Sequence, residues 1–498
     1  MLKLKDVITE LKVITTLLLF PLVCNAQQTN NIDFTDTTSF PDGKLGQVVE
    51  ELIDVFNANN ADRIGQFVSK HDSKEILKKF SLEDFQGYLL DNVRKTGGVN
   101  FHSTRTYTPS LSDKTVIIVK GNNFDFWYAF SLSFTNKTDY VLDRLWFSSV
   151  DAPSDILEPT ISETELIEKT SALLGRLSKN DFFSGAVLVA KKDKVLFEKA
   201  YGEASKRFHA ANTLNTKFNL GSMNKMFTAI AIMQLVEKNK IALDDVVSNY
   251  IDQDWLPKEI TDKITVHHLL SHTSGLGSYF NKTYRNSSRE LFRSLDDFKP
   301  LVKDNTLVFP PGEKYKYSNT GMLLLGVIIE KSTGQDYFEY IRENIYKPAK
   351  MINSDAFEMD QPVENLAIGY IPSSKNPLGW ENNIYKHVIK GGPAGGGFST
   401  VKDLHLFALA LKNEKLVSKS SLELLWTDHA KAGYGYGFTL KSGNTGKVVG
   451  HGGGFPGLNS QLDIFLDNGY IVTVMSNYDR GAGPVAKKIY DWIENLQN

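Results

Sequence analysis

Cysteine is nearly absent from this chain: its 498 residues include one, Cys24. A disulfide framework, a Cys-based zinc or iron-sulfur site and a thiol nucleophile in the body of the protein are thereby excluded, so any chemistry falls to oxygen, imidazole or amine groups. A charge excess of either sign is also missing. Lys and Arg number 56 against 58 Asp and Glu, a formal net charge of -2, and no long single-sign run occurs, so neither a nucleic-acid nor an anionic-membrane surface is indicated. Long apolar runs are lacking too. Residues 13–23 are apolar except for Thr15, Thr16 and Pro21, and they fall short of the ~20 residues that cross a bilayer core. No repeat at solenoid periods is present. What remains is an ordinary globular composition, 41% hydrophobic and 23% charged, with room for two or three domains that each have a core.

The chain changes texture several times. Lys3, Lys5 and Lys12 precede the short apolar run, and Cys24-Asn25-Ala26 supplies small residues before Gln27. This pattern predicts an export signal over residues 1–26, cleaved after Ala26, and a periplasmic or secreted mature chain without a transmembrane segment. A lipoprotein anchored at Cys24 is the minority reading. Residues 27–42 are polar and read as a flexible lead-in. Helical spacing follows at 45–58 (Val48, Val49, Leu52, Ile53, Phe56) and at 73–95, then alternating strands at 116–119, 124–134 and 140–150. Helices followed by antiparallel strands predict a small α+β roll over 43–150. It resembles the cystatin-like and nuclear-transport-factor-like rolls, which implies a module that binds a ligand or partner. Residues 151–162 read as a linker.

From residue 163 a helix (166–177) leads into a hairpin of strands 185–190 and 195–201, and a second helix runs from Ser222 to about Lys238. Residues 240–425 are mostly helical and loop-like. Strands return at 434–441, 447–450, 459–465 and 470–476, and a helix over 484–496 closes the chain. Strands at both ends of 163–498 imply one antiparallel sheet flanked by helices, with a helical lobe inserted: an α+β fold.

Ser222-Met-Asn-Lys225 places a hydroxyl and an amine three residues apart at a helix start, where they are neighbours. A desolvated Lys there can take the serine proton. The spacing alone decides nothing, because Ser399-Thr-Val-Lys402 repeats it with the look of a helix cap. Tyr317-Ser-Asn319 follows the Phe309-Pro-Pro-Gly312 turn, although Tyr279/Asn281 and Tyr284/Asn286 share its spacing. Gly450-His451-Gly-Gly453-Gly454 holds the only His-x-Gly, and glycines in a strand mark close backbone approach. His268 and His272 are four apart without the Glu of a zinc-protease helix, so they read as loop-ordering residues. Gly391–Gly397 lacks the Lys-Ser/Thr ending of a phosphate loop and reads as a flexible cleft edge. A Gly-x-Ser-x-Gly elbow is missing, against an α/β-hydrolase.

In their order, Ser222-x-x-Lys225, Tyr317-x-Asn319 and His451-x-Gly453 resemble the penicillin-recognising serine hydrolases, the β-lactamase and penicillin-binding-protein family, in its branch of class C β-lactamases, D-aminopeptidases and esterases. Phe218 to Ser222, Leu269 to Leu276, Pro311-Gly312, Gly395 to Ser399 and His451 to Gly457 carry the resemblance further, over about residues 165–498. It implies an acyl-enzyme mechanism without a metal or organic cofactor, on a small peptide, ester or β-lactam-like substrate. Ser222 would be the nucleophile, Lys225 its activating partner and Tyr317 the acid toward the leaving group. Asn319 would orient Lys225 and the substrate amide. His451, Gly453 and Gly454 would line the substrate strand, with the N–H groups of Ser222 and Gly454 as the oxyanion hole. Many β-lactamases and D,D-peptidases have Lys where this chain has His451. A mostly neutral imidazole is a weaker carboxylate anchor, which favours amide or ester substrates. A β-lactamase or D,D-peptidase proper, or a slow-turnover sensor with the roll as its ligand module, stays as an alternative.

Overall fold

The computed structural model describes residues 33–497 except 72–80, 109–113, 137, 139, 158, 374, 375, 377 and 378. The expected export signal, Cys24 and the start of the helical stretch at 73 lie outside them. Two compact units meet at the border between Pro159 and Thr160.

In the N-terminal unit, strand β1 (Asp33–Thr37) precedes helices α1 (Gly43–Asn57), α2 (Ala61–His71) and α3 (Leu82–Thr96). Strands β2 (Val99–Thr108), β3 (Lys114–Gly121), β4 (Trp127–Asn136) and β5 (Val141–Ser149) complete an antiparallel sheet in the order β1-β2-β3-β4-β5. Helix α1 buries Val48, Val49, Leu52 and Phe56 against Ile117, Val119, Phe130 and Phe147, the stripe that its sequence spacing requires. On the opposite face Val150, Ala152 and Ile156 cover Val116, Ile118 and Trp127.

Two expectations change here. The polar lead-in is in part a strand, because Asp36 of β1 pairs with buried Arg105 of β2 at 2.9 Å. The supposed linker begins as a packed segment. Its Asp151 carbonyl accepts from the same guanidinium at 3.3 Å, and its apolar side chains seal the sheet.

The second unit starts with α4 (Glu163–Lys179), held by a capping box between Ser162 and Glu165. Strands β6 (Gly185–Lys191) and β7 (Lys194–Tyr201) form the hairpin. Then come α5 (Asn224–Glu237), α6 (Asn319–Thr333) and α7 (Val401–Lys412). The sheet is completed by β8 (Thr439–Gly443), β9 (Gly446–Phe455), β10 (Leu458–Phe465) and β11 (Tyr470–Ser476), and α8 (Ala482–Glu494) ends the chain. Its antiparallel order is β8-β9-β10-β11-β6-β7, so both ends of the unit share one sheet. Helix α8 packs on β10 and β11, and α7 on β11 and β6. Covered on both faces, β11 is mostly apolar and is buried along its whole length.

The strand expected at 434–441 forms only from Thr439. Gly437 takes φ +74, and a Cβ there would stand 2.7 Å from the Lys225 carbonyl oxygen. The chain is therefore bent against α5 and carries Tyr434 inward. Among the described residues no helix is long and apolar enough to cross a membrane.

Candidate active site

Helix α5 is largely apolar and enclosed up to its last turn: Met226, Phe227, Ala229, Ile230, Ala231 and Ile232 have no exposed surface. A helix of that kind is fixed by its surroundings from all directions, and the residues at its start inherit that rigidity. Ser222 lies in a 3₁₀ turn (Gly221–Met223) just before it and is half-buried. Lys225 is in the first turn, fully buried, with its Nζ 3.1 Å from Ser222 Oγ. The same Nζ donates a short hydrogen bond to the Ala394 carbonyl. Burial holds the Lys225 ammonium well below the usual lysine range, which favours the free amine a proton acceptor needs.

Tyr317 enters from the loop before α6. Burial pushes its phenol up from the ordinary value, so it stays protonated, and the Ser222 side chain lies beside its hydroxyl. The Lys225 Nζ stands 4.7 Å from the Tyr317 ring centroid. A proton acceptor and a proton donor thus flank one hydroxyl.

Asn319 is at the first turn of α6, and its amide donates to Ser278 Oγ at 3.2 Å. The partner that orients Lys225 is the Ala394 carbonyl and not Asn319, as the family resemblance had implied. Ser278 and Ala394 carried no signal in the sequence. Ala394 acts through its backbone, which no side-chain motif reports.

The loop around Ala394 is pinned. Three groups of α5 grip successive carbonyls: Asn224 holds Gly392 at 2.7 Å, Thr228 holds Pro393 at 2.8 Å, and Lys225 holds Ala394. The Gly396 amide donates to the Gly221 carbonyl at 3.0 Å. The flexible edge expected at Gly391–Gly397 is therefore a fixed wall of the site.

Strand β9 lies along the other side. Two-residue turns close it at both ends, pairing Gly443 with Gly446 and Phe455 with Leu458. Hydrogen-bonded and non-bonded pairs alternate in an antiparallel ladder, so the Gly452 and Gly454 amides face away from β10. Strand β8 has already ended opposite Gly450, and these two N–H groups line an open edge. The Gly454 nitrogen is 3.0 Å from where a Cβ on Gly221 would stand, beside the Ser222 turn. Ser222 itself sits at a helical start, where amides have no acceptor within the helix. The Gly454 and Ser222 amides thus both lie at this turn.

Gly453 is what permits this approach: a Cβ on it would lie 2.0 Å from the Leu220 carbonyl oxygen and 2.3 Å from Ser460 Oγ. Gly453→Ala must push β9 off the Ser222 turn, and a misplacement of about 1 Å costs roughly 10²-fold in rate. A kcat/KM measurement on a small ester, with a melting curve, is expected to show that loss. Full activity would place β9 away from the reacting atoms.

His451 is buried, with Nδ1 at 2.6 Å from the Gly452 carbonyl and Nε2 at 3.0 Å from Tyr434 OH. A carbonyl only accepts, so Nδ1 carries the proton and Nε2 accepts from the phenol. Burial brings this imidazole down to about 3; it is neutral and offers no cation to a carboxylate. Tyr434, missed in the sequence, is its partner from the bent segment.

The second Ser-x-x-Lys separates cleanly. Thr400 caps α7 by accepting the Asp403 amide at 3.1 Å. Ser399 is buried against Ser354 at 2.7 Å, and Lys402 pairs with Glu198. His268 and His272 also diverge. His268 Nδ1 accepts the Thr265 amide at 3.2 Å, whereas His272 packs against Tyr317. Among the described residues no group of three or more His, Cys, Asp or Glu converges as a metal site.

Comparison with known proteins assigns the chain to a family. Residues 166–495 match the Beta-lactamase family, and the chain belongs to that family. It is a serine hydrolase of the β-lactamase-related kind. Penicillin-binding protein 4* of Bacillus subtilis (strain 168) is 30% identical over 322 residues, covering 61% of this chain and 70% of that protein. A penicillin-binding protein from Bacillus halodurans superposes with a TM-score of 0.59 at 31% identity, over 64% of this chain and 98% of its own. A D-stereospecific amidohydrolase from Streptomyces sp. gives a TM-score of 0.54 at 25% identity, over 65% and 97%.

Proposed function

We propose that the protein is an exported hydrolase that cleaves neutral amides or esters through an acyl-enzyme on Ser222. The observation that carries this reading is the Ser222 hydroxyl set between the Lys225 amine at 3.1 Å and the Tyr317 phenol. Lys225 takes the hydroxyl proton as Ser222 Oγ attacks the carbonyl carbon. The amides of Ser222 and Gly454 hold the oxyanion. Tyr317 gives its proton to the leaving group and is reprotonated through Lys225, and water then releases the acid by the reverse route. Asn319 and the β9 edge bind the substrate backbone.

The neutral state of His451 supports neutral substrates over carboxylate-bearing ones, and the amidohydrolase relative supports amide cleavage. The penicillin-binding relatives favour a second reading, a β-lactamase or D,D-peptidase, or a sensor that keeps its adduct. Rates on p-nitrophenyl esters, D-amino-acid amides and a cephalosporin, with intact-mass detection of the adduct, test the two. Turnover of esters or amides with a transient adduct on Ser222 is the expected result. A long-lived cephalosporin-derived adduct without turnover would establish the sensor.

His451→Lys tests the substrate side. A cation at this site attracts a carboxylate by about 4 kcal/mol at 4 Å and an effective dielectric near 20, before desolvation. Most of that is lost on burial, and the kcat/KM ratio of a carboxylate-bearing substrate to a neutral ester is expected to rise about tenfold. An unchanged ratio at low and high salt in a folded variant would mean that position 451 does not face the substrate.

A further inference from the structure

His272 is fully buried and holds a left-handed backbone, φ +57, a conformation that disfavours any residue with a Cβ. Its carbonyl accepts the Lys316 amide at 2.9 Å, and its Nδ1 accepts the Ser318 amide at 3.2 Å. Those two amides bracket Tyr317. One residue therefore grips the chain on both sides of the phenol, and Thr273 extends the grip by accepting the Gly312 amide at 2.9 Å. The imidazole ring then packs on Tyr317 at 4.5 Å and on Tyr434 at 4.7 Å between centroids.

Because Nδ1 accepts from a backbone N–H, the proton of the neutral ring is on Nε2. A protonated ring would turn two donors toward each other at Ser318. Burial holds the ring neutral. No hydrogen-bond partner for Nε2 is present among the described residues. An unpaired buried N–H has a cost, and this one sits in a strained turn against the reacting groups, an arrangement of the kind found where geometry matters more than stability.

We propose that His272 is the positioning residue for Tyr317: it clamps the Lys316 and Ser318 amides and wedges its ring against the phenol, so that the hydroxyl meets Ser222 and the leaving group. This rests on the acid role given to Tyr317 above and goes beyond it. The reaction provides a readout that a merely structural role would not move. A phenyl ester needs its leaving oxygen protonated, whereas p-nitrophenolate departs without help, so loss of a well-placed acid slows the first far more than the second.

The test uses His272→Asn in the full chain, since Asn tolerates the left-handed region. Phenyl ester kcat is expected to fall about tenfold with KM changed less than twofold, and p-nitrophenyl ester kcat to fall less than twofold. Tyr317→Phe should show the same leaving-group pattern more strongly, and adding His272→Asn to it should cost less than twofold more, the non-additivity of residues acting as one unit. If His272→Asn fails to fold, His272→Gly relieves the backbone and removes the ring, with the same pattern expected. Equal losses on both esters, or additive losses in the double variant, would overturn the proposal. A Tyr317→Phe protein without leaving-group dependence would instead overturn the acid role, and the positioning role with it.

Discussion

Ser222→Ala is expected to abolish both turnover and fluorophosphonate labelling, with a loss of about 10³-fold or more in kcat. The size follows from the geometry. In the proposed mechanism Ser222, Lys225 and Tyr317 act on one proton inventory, and removing the nucleophile of such a unit costs about as much as removing the whole unit. The fold should be spared, because Ser222 is half-buried and Lys225 keeps its bond to the Ala394 carbonyl. An unchanged melting temperature together with lost labelling is the outcome to look for. Labelling that persisted would point to another hydroxyl. Ser399 is an unpromising one, since it is enclosed and bonded to Ser354 at 2.7 Å.

How far the sequence reveals this site depends on whether a residue acts through its side chain, and near its neighbours in sequence. Ser222 and Lys225 are three apart on one helix start, so their contact is a local matter that spacing expresses. Spacing could not rank them above Ser399 and Lys402, which match equally well. What separates the pairs is tertiary: Lys225 is fully buried at the start of α5, whereas Lys402 reaches Glu198 at 3.4 Å. The order of the three motifs along the chain supplied that information indirectly, through the family.

Groups that act through the backbone or over long separations left no trace. The Ala394 carbonyl is contributed by a glycine-rich loop whose composition reads as mobility, and its fixing depends on three α5 side chains about 165 residues earlier. Tyr434 was absorbed into an apolar run that resembled a strand, because its alternation is right and the bend at Gly437 is a response to packing on α5. In the N-terminal unit, β1 looked too polar to be ordered. Its order comes from Arg105, 69 residues later, a pairing of buried charges that breaks expensively once formed. The hydrophobic stripe of α1 and the β6–β7 hairpin were legible, since both are set by local periodicity.

Lys225→Met should remove activity by a similarly large factor while making the protein more stable near neutral pH. An unfolded lysine titrates near 10.4, and burial lowers this one well below that in the folded state. Between the two values the unfolded chain binds a proton that the folded chain does not, so stability rises with pH across that window. The burial cost of Lys225 is therefore greatest at low pH and fades as the pH approaches about 10. Methionine has similar volume and no charge to bury, and it forfeits only the bonds to Ser222 and the Ala394 carbonyl. A gain of ~0.5–2 kcal/mol is expected at pH 6 to 7, the usual size when a functional site is relieved, and it should shrink steadily toward pH 10. Denaturant unfolding of both proteins at pH 6, 8 and 9.5 measures this directly. A gain that did not vary with pH would show that Lys225 is charged in the folded protein, and the proton acceptor for Ser222 would then have to be sought elsewhere.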